Sequence, residues 1–272
     1  KKAANLINQQ GLEIFSFFTL CGFGSPLMRL TSISGVSVCF TGASGSGKSG
    51  SLYCAASLFG EPKKLSLSGS KKTSATENAL IQWMISLKNI MMPLDEASNR
   101  PPDEVSDLIH KVSDGKAKLR MQSSVDALRD IESSSSMISC LTSNQSLTAK
   151  LVSLKTNPDG ELARLLDIKF KKPKPFLDDP TLAPKIIEPM RQNYGHAGPE
   201  YIQYLFKLGD AEVHRRVLEW QARFRKDFGD DTVYRFWDTL VAVAFAGGEI
   251  AVEAGIISWD LERIYNVILS EL

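Results

Sequence analysis

Apolar positions along this chain fall into two kinds of run. Short unbroken ones predict buried strands: Val36–Phe40, the stretch from Ile90 to Leu94, and Met137–Thr142. A last strand follows Arg164, and Leu65–Leu67 is a short alternation that reads as another. Longer runs carry helical spacing. They cover Leu12 to Gly24, Ser51 to Phe59, Thr76 to Leu87, Pro101 to Val112 and Gln145 to Leu154. Beyond residue 180 the spacing is helical only, at about 181–192, 198–208, 210–227, 231–248 and 258–271. Strands that alternate with helices predict an α/β layer structure with a mostly parallel sheet. The helical tail predicts an all-α subdomain. Lys171–Pro175 and Asp178–Pro180 read as the linker between them. The expected division is an N-terminal helical segment at 1–34, a core at 35–175 and a helical subdomain at 176–272.

Composition narrows this little. The chain has 272 residues, 43% hydrophobic and 23% charged, as an ordinary soluble globular protein has. A net charge of +1 means that any basic surface must be local. Cys21, Cys39, Cys54 and Cys140 lie in apolar stretches without a C-x-x-C pair. They read as buried thiols in a reducing compartment such as the cytoplasm. His110, His196 and His214 are too far apart to suggest a zinc site. Leu12–Gly24 and Leu240–Ile257 are the two most apolar runs, and both are interrupted by glutamate. Core helices are expected there, with no secretory signal and no membrane partner. The Lys1-Lys2 start suggests a piece of a longer chain.

Candidate chemistry centres on Gly42-Ala43-Ser44-Gly45-Ser46-Gly47-Lys48-Ser49, which is G-x-x-x-x-G-K-S. A predicted strand precedes it and a predicted helix follows, the context that a phosphate-binding loop needs. Glycines let the backbone turn tightly and aim N–H groups at phosphate oxygens. The helix N-terminus adds its dipole. Lys48 is expected to reach the β- and γ-phosphates of ATP, and Ser49 to ligate Mg²⁺.

A second element is the apolar run that ends in Asp95-Glu96. The expectation is that this strand lies directly beside the loop's strand. Asp95 would then join the Mg²⁺ shell and Glu96 would polarise water. Pro93 lacks a ladder donor, which is awkward in a central strand. The Met137–Thr142 strand leads to Ser143-Asn144, and Asn144 is a candidate partner for the γ-phosphate or the attacking water. Lys116, Lys118 and Arg120 recur at every second residue, so a strand there would carry all three charges on one face.

In this order, the loop, the acidic pair, the Asp114-Gly115-Lys116-x-Lys118-x-Arg120 segment, the polar strand end and Arg164-Leu165-Leu166-Asp167-Ile168 resemble one family. It comprises phage and plasmid helicase-like domains, catalogued as a domain of unknown function and often joined to a primase domain. Asn193-Tyr194-Gly195-His196-Ala197-Gly198-Pro199 and Ala246-Gly247-Gly248-Glu249-Ile250-Ala251, with Gly255 and Trp259, extend the resemblance from about Pro26 to the C-terminus. The resemblance implies a P-loop NTPase core akin to superfamily-three helicases and AAA+ rings. It implies ATP and Mg²⁺ as cofactors, single-stranded DNA as partner, a homo-oligomer that is a hexameric ring, and a primase partner. It also implies that Arg164 acts as an arginine finger in a neighbouring subunit, with Arg120 and Arg129 as rivals. A channel hairpin at about 115–136 would present Lys116, Lys118 and Arg120 to DNA, with Lys171, Lys172 and Lys174 as the competing basic cluster. The expected function is an ATP-driven DNA helicase or translocase of phage or plasmid replication. The alternatives are an ATPase that loads a replication partner without unwinding, and a small-molecule kinase.

Overall fold

The computed structural model describes residues 2–69, 77–115, 134–154 and 158–272. In chain order the helices and strands are α1 (Lys2–Asn5), α2 (Glu13–Gly24), β1 (Gly35–Thr41), α3 (Lys48–Ala56), α4 (Pro62–Leu65), β2 (Leu67–Ser68), α5 (Glu77–Leu87) and β3 (Met92–Asp95). Then follow α6 (Pro102–Asp114), β4 (Met137–Ser143), α7 (Leu147–Leu154), α8 (Asp159–Arg164), β5 (Leu165–Lys169) and α9 (Lys174–Asp178). The chain closes with α10 (Leu182–Gln192), α11 (Ala197–Leu208), α12 (Asp210–Phe228), α13 (Arg235–Glu253) and α14 (Leu261–Ser270).

Among the described residues five strands form one sheet in the order β2-β3-β4-β1-β5, and every adjacent pair is parallel. Parallel sheets need both faces covered, and the strand sequences comply. Val36, Val38 and Phe40 of β1, with Ile138 and Cys140 of β4, join the core on one face. Cys39, Met137 and Leu141 join the core on the other. This is the period-2 alternation of a strand that is apolar on both sides. The second face is covered by α5, α6 and α7 through Leu80, Met84, Leu108, Ile109, Val112, Leu147 and Leu151. Ser37 and Ser139 are buried opposite each other in the register and satisfy each other, with an Oγ–Oγ distance of 2.7 Å.

The first face is covered by α2 and α3, and α13 packs on α2 from the other side. Sheet contact and helix contact together bury 11 of the 12 residues of α2, which is why that helix shows no polar stripe. Phe18 of α2 stacks on Phe40 with ring centroids 3.7 Å apart. At the far end α2 and α13 come so close that a Cβ on Gly24 would lie 2.6 Å from the Val243 carbonyl oxygen. A Cβ on Gly247 would lie 2.7 Å from the Gly24 nitrogen. The two apolar runs that carry glutamates are therefore core helices, and among the described residues no helix is long and apolar enough to cross a membrane.

Three expectations change. The acidic strand β3 does not lie beside the loop's strand β1, because β4 is inserted between them and pairs with both. Pro93 is accommodated because β2 pairs only with Leu94 and Asp95. At Pro93 the strand has a neighbour on one side only, an edge-like position where a missing N–H is tolerated. The linker, lastly, is partly core. Pro173 and Pro175 open α9, where first-turn prolines lose nothing, and Phe176 is buried edge-on against Phe15 at 5.2 Å. All four cysteines are buried and free, as expected.

Candidate active site

Strand β1 ends at Thr41, and the Gly42 N–H donates to the Ser143 carbonyl at 3.0 Å, extending the ladder by one rung. A side chain is impossible at Gly42, since a Cβ would sit 2.1 Å from the Phe170 carbonyl oxygen. The chain then turns back through Gly45 at φ 74° and Gly47 at φ 108°, both in the left-handed region that favours glycine. Gly47 is the N-cap of α3, so the free N–H groups of that helix open onto the loop.

Lys48 is buried, and its Nζ donates to the carbonyls of Gly42 at 2.7 Å and Ala43 at 2.8 Å, to Ser46 Oγ at 3.4 Å and to Asn144 Oδ1 at 3.2 Å. Desolvation pulls its ammonium below the usual lysine pKa, and the nearby Asp95 charge opposes that shift. A cation held this way inside a glycine-rich loop is prepared for an anion.

Asp95, at the end of β3, is the hub of the site. Its Oδ1 accepts from Ser49 Oγ at 2.9 Å and from the Thr142 hydroxyl, and its Oδ2 accepts from Tyr53 at 3.4 Å. Tyr53 follows Ser49 by one helical turn on α3, and burial together with the Asp95 charge raises its pKa. Glu96 is exposed and adopts φ 57°, ψ 44°, a left-handed conformation rare for a residue with a side chain. Its N–H donates to Thr142 Oγ1 at 3.0 Å, and its carboxylate accepts from Asn99 Nδ2 at 3.1 Å. Gly69 leaves the room this conformation needs, because a Cβ there would lie 2.2 Å from the Glu96 carbonyl oxygen.

The loop from Ser44 to Gly50, Asp95, Glu96, Thr142, Ser143 and Asn144 thus line one cleft of about 260 Å³. Asn144 is anchored as well as exposed, because its N–H donates to Ser98 Oγ at 3.3 Å. Behind it, Asp167 of β5 accepts from Thr41, from Ser146 Oγ at 2.8 Å and from the Thr148 N–H at 3.1 Å. That carboxylate ties the end of β1 to the turn that carries Asn144.

Arg164 is not brought to this cleft. It precedes β5, whose Leu165 pairs with Ser37 and whose Lys169 pairs with Thr41. It therefore sits at the opposite end of the sheet from the loop, about 17 Å away along the strand. There its Nε donates to Ser113 Oγ at 3.0 Å and its Nη1 to the Gly160 carbonyl at 2.6 Å, with the guanidinium 5.0 Å from the Phe236 ring centroid. Lys116, Lys118, Arg120 and Arg129 lie outside the described residues. The residues that flank their segment are pinned together, the Ser135 N–H donating to the Gly115 carbonyl at 2.8 Å. Gly115 packs on Ser34, at the end of the sheet opposite the loop. Lys171 and Lys172 are exposed and follow β5 at the loop end.

Sequence reasoning missed Thr142, Tyr53, Asn99 and Asp167. Thr142 and Tyr53 carried a faint signal, one as a polar residue at the end of a buried strand and the other as i+4 from Ser49. Among the described residues no group of three or more His, Cys, Asp or Glu could hold a metal alone. Ser49 and Asp95 nonetheless suit magnesium, a hard cation that takes one or two carboxylates and completes its shell with phosphates and water.

A family profile described as "Domain of unknown function (DUF927)" matches residues 4–131. Among solved structures, one described as "SCCmec type IV Cch - active helicase" has the same fold. Its TM-score is 0.70 at 21% sequence identity, over 95% of this chain and 46% of that one. The chain thus spans less than half the length of that relative. No curated protein matches.

Proposed function

We propose that this chain is the P-loop ATPase core of an oligomeric DNA helicase or translocase. The observation that carries the reading is the convergence of the loop from Ser44 to Gly50, Asp95, Glu96 and Asn144 on one cleft. The shared fold with a structure described as an active helicase supports the motor class over a small-molecule kinase. Replication of a phage or plasmid, a ring of subunits and a primase partner complete the proposal.

In this reading the loop N–H groups and Lys48 bind the ATP phosphates, with the ammonium exchanging the Gly42 and Ala43 carbonyls for phosphate oxygens. Ser49 and Asp95 hold Mg²⁺, which when bound neutralises phosphate charge. Glu96 orients the attacking water and accepts its proton. Asn144, which touches Lys48 and the Ser98 hydroxyl, fixes the far side of the cleft. Arg164 acts across a subunit boundary, since its own cleft lies at the other end of the sheet.

The deciding experiment is steady-state ATP hydrolysis with and without single-stranded DNA. Stimulation by DNA supports the motor. Stimulation only by a protein partner makes the chain a loader, a phosphorylated small molecule makes it a kinase, and no hydrolysis under any condition overturns the reading.

A further inference from the structure

Two acids with different tasks sit side by side at the end of β3, and something must set their relative positions. The loop's strand cannot do so directly, because β4 intervenes between β1 and β3. Residue 142, near the end of β4, lies between the two.

A threonine hydroxyl has one proton to give and lone pairs to accept with. An ionised carboxylate only accepts, so the Thr142 proton goes to Asp95 Oδ1, and the Thr142 oxygen receives the Glu96 N–H at 3.0 Å. The same Oδ1 accepts from Ser49 at 2.9 Å. One buried hydroxyl on β4 therefore touches both acids, at the side chain of the first and at the backbone of the second. The second contact falls on the residue whose backbone is unusual, Glu96 at φ 57°. Such conformations persist where surrounding contacts over-determine them.

We propose that Thr142 is a positioning residue for this site: its hydroxyl orients the Asp95 carboxylate toward the Ser49 side and holds Glu96 in its left-handed conformation. The role rests on the ATPase reading for its consequence but not for its geometry. Hydroxyl loss should uncouple the acids without touching the loop that grips phosphate. A residue that merely fills the core would tolerate valine, which matches threonine in shape.

The test compares wild type, Thr142→Val and Thr142→Ser, with Thr142→Ala as a second hydroxyl-free variant should valine impair folding. ATP hydrolysis is titrated with Mg²⁺, and amide exchange at Glu96 is followed by NMR in nucleotide-free protein. The hydroxyl-free variants should lose about 30-fold or more in kcat, with KM for ATP within about threefold of wild type. Their Mg²⁺ requirement should rise about tenfold, and Glu96 exchange should accelerate about tenfold or more. Serine should restore all three readouts to within about threefold of wild type. Wild-type kcat and Mg²⁺ dependence in a folded hydroxyl-free variant overturns the proposal, as does unchanged Glu96 exchange. Should wild type itself fail to hydrolyse ATP, the ATPase reading falls, and the exchange measurement alone still decides whether Thr142 positions Glu96.

Discussion

The Ser49 hydroxyl donates to a carboxylate oxygen of Asp95 at 2.9 Å, across 46 residues of chain. A serine in the first turn of α3 and an acid at the end of β3 meet there although β1, which leads into α3, and β3 are not neighbours. In the proposed reading this hydroxyl and carboxylate are the two protein oxygens offered to magnesium, next to the loop proposed to bind phosphate. Loop and acids should therefore fail differently when mutated.

Lys48→Ala removes the loop's buried cation and should weaken nucleotide binding and abolish turnover. Glu96→Gln keeps shape and hydrogen bonding but not basicity, so binding should persist while kcat falls by roughly 100-fold or more. Fluorescent-nucleotide binding and phosphate release separate the two effects. Wild-type hydrolysis in both variants would remove the assignment of the site.

The α2–α13 crossing gives a prediction about the fold. Gly247→Ala would bring a methyl group to 2.7 Å from the backbone of Gly24 and Phe23, which cannot rotate aside. Overpacking of this kind costs about 1–3 kcal/mol. Thermal unfolding should show a clear loss, whereas Gly255→Asn should cost less, because the space around Gly255 is open and asparagine is among the residues that tolerate its positive φ. Equal stabilities would mean that the two helices can part at no cost.

Arg164 has two separable roles to test. Its hydrogen bonds to Ser113 and Gly160 and its place over Phe236 predict that Arg164→Ala destabilises the chain by about 1 kcal/mol. The proposed action in a neighbouring subunit predicts more. Mixing Arg164→Ala with Glu96→Gln protein should restore part of the ATPase activity that each lacks alone. No recovery at any ratio, with assembly intact, leaves the arginine a packing role only.

DNA contact is proposed for Lys116, Lys118 and Arg120, whose described neighbour Gly115 lies at the end of the sheet opposite the cleft. Single-strand binding across a salt series should weaken in Lys118→Ala/Arg120→Ala, and its log–log slope should become shallower by about one unit per lost contact. Basal ATPase should stay. If binding instead drops only when Lys171, Lys172 and Lys174 are neutralised, the contact belongs to the exposed lysines at the loop end.

Much of the architecture was legible locally. The β1 and β4 runs, the helix after Lys48 and the five C-terminal helices depend on periodicity and on glycine and proline punctuation, which a chain displays residue by residue. The loop at 42–49 is equally local: the N–H groups proposed to meet phosphate come from consecutive residues, so their spacing is written in the motif. Asp95 and Glu96 could be named because apolar residues run straight into them.

Strand order could not be read in this way. Nothing in β3 or β4 says which of them lies against β1, because both are apolar on both faces and either would be buried equally well. Only packing of the whole sheet decided for β4, and that choice made Thr142 a neighbour of both acids. Left-handed Glu96 was hidden for a similar reason. Its conformation is imposed by contacts from Thr142, Asn99 and the bare backbone of Gly69, two of which are remote in sequence. The burial of Phe176 in a segment that reads as linker depends on Phe15, 161 positions earlier. Local propensity sets which elements form; the energy of burying them against one another sets which residues meet, and the chemistry of the cleft lies in those meetings.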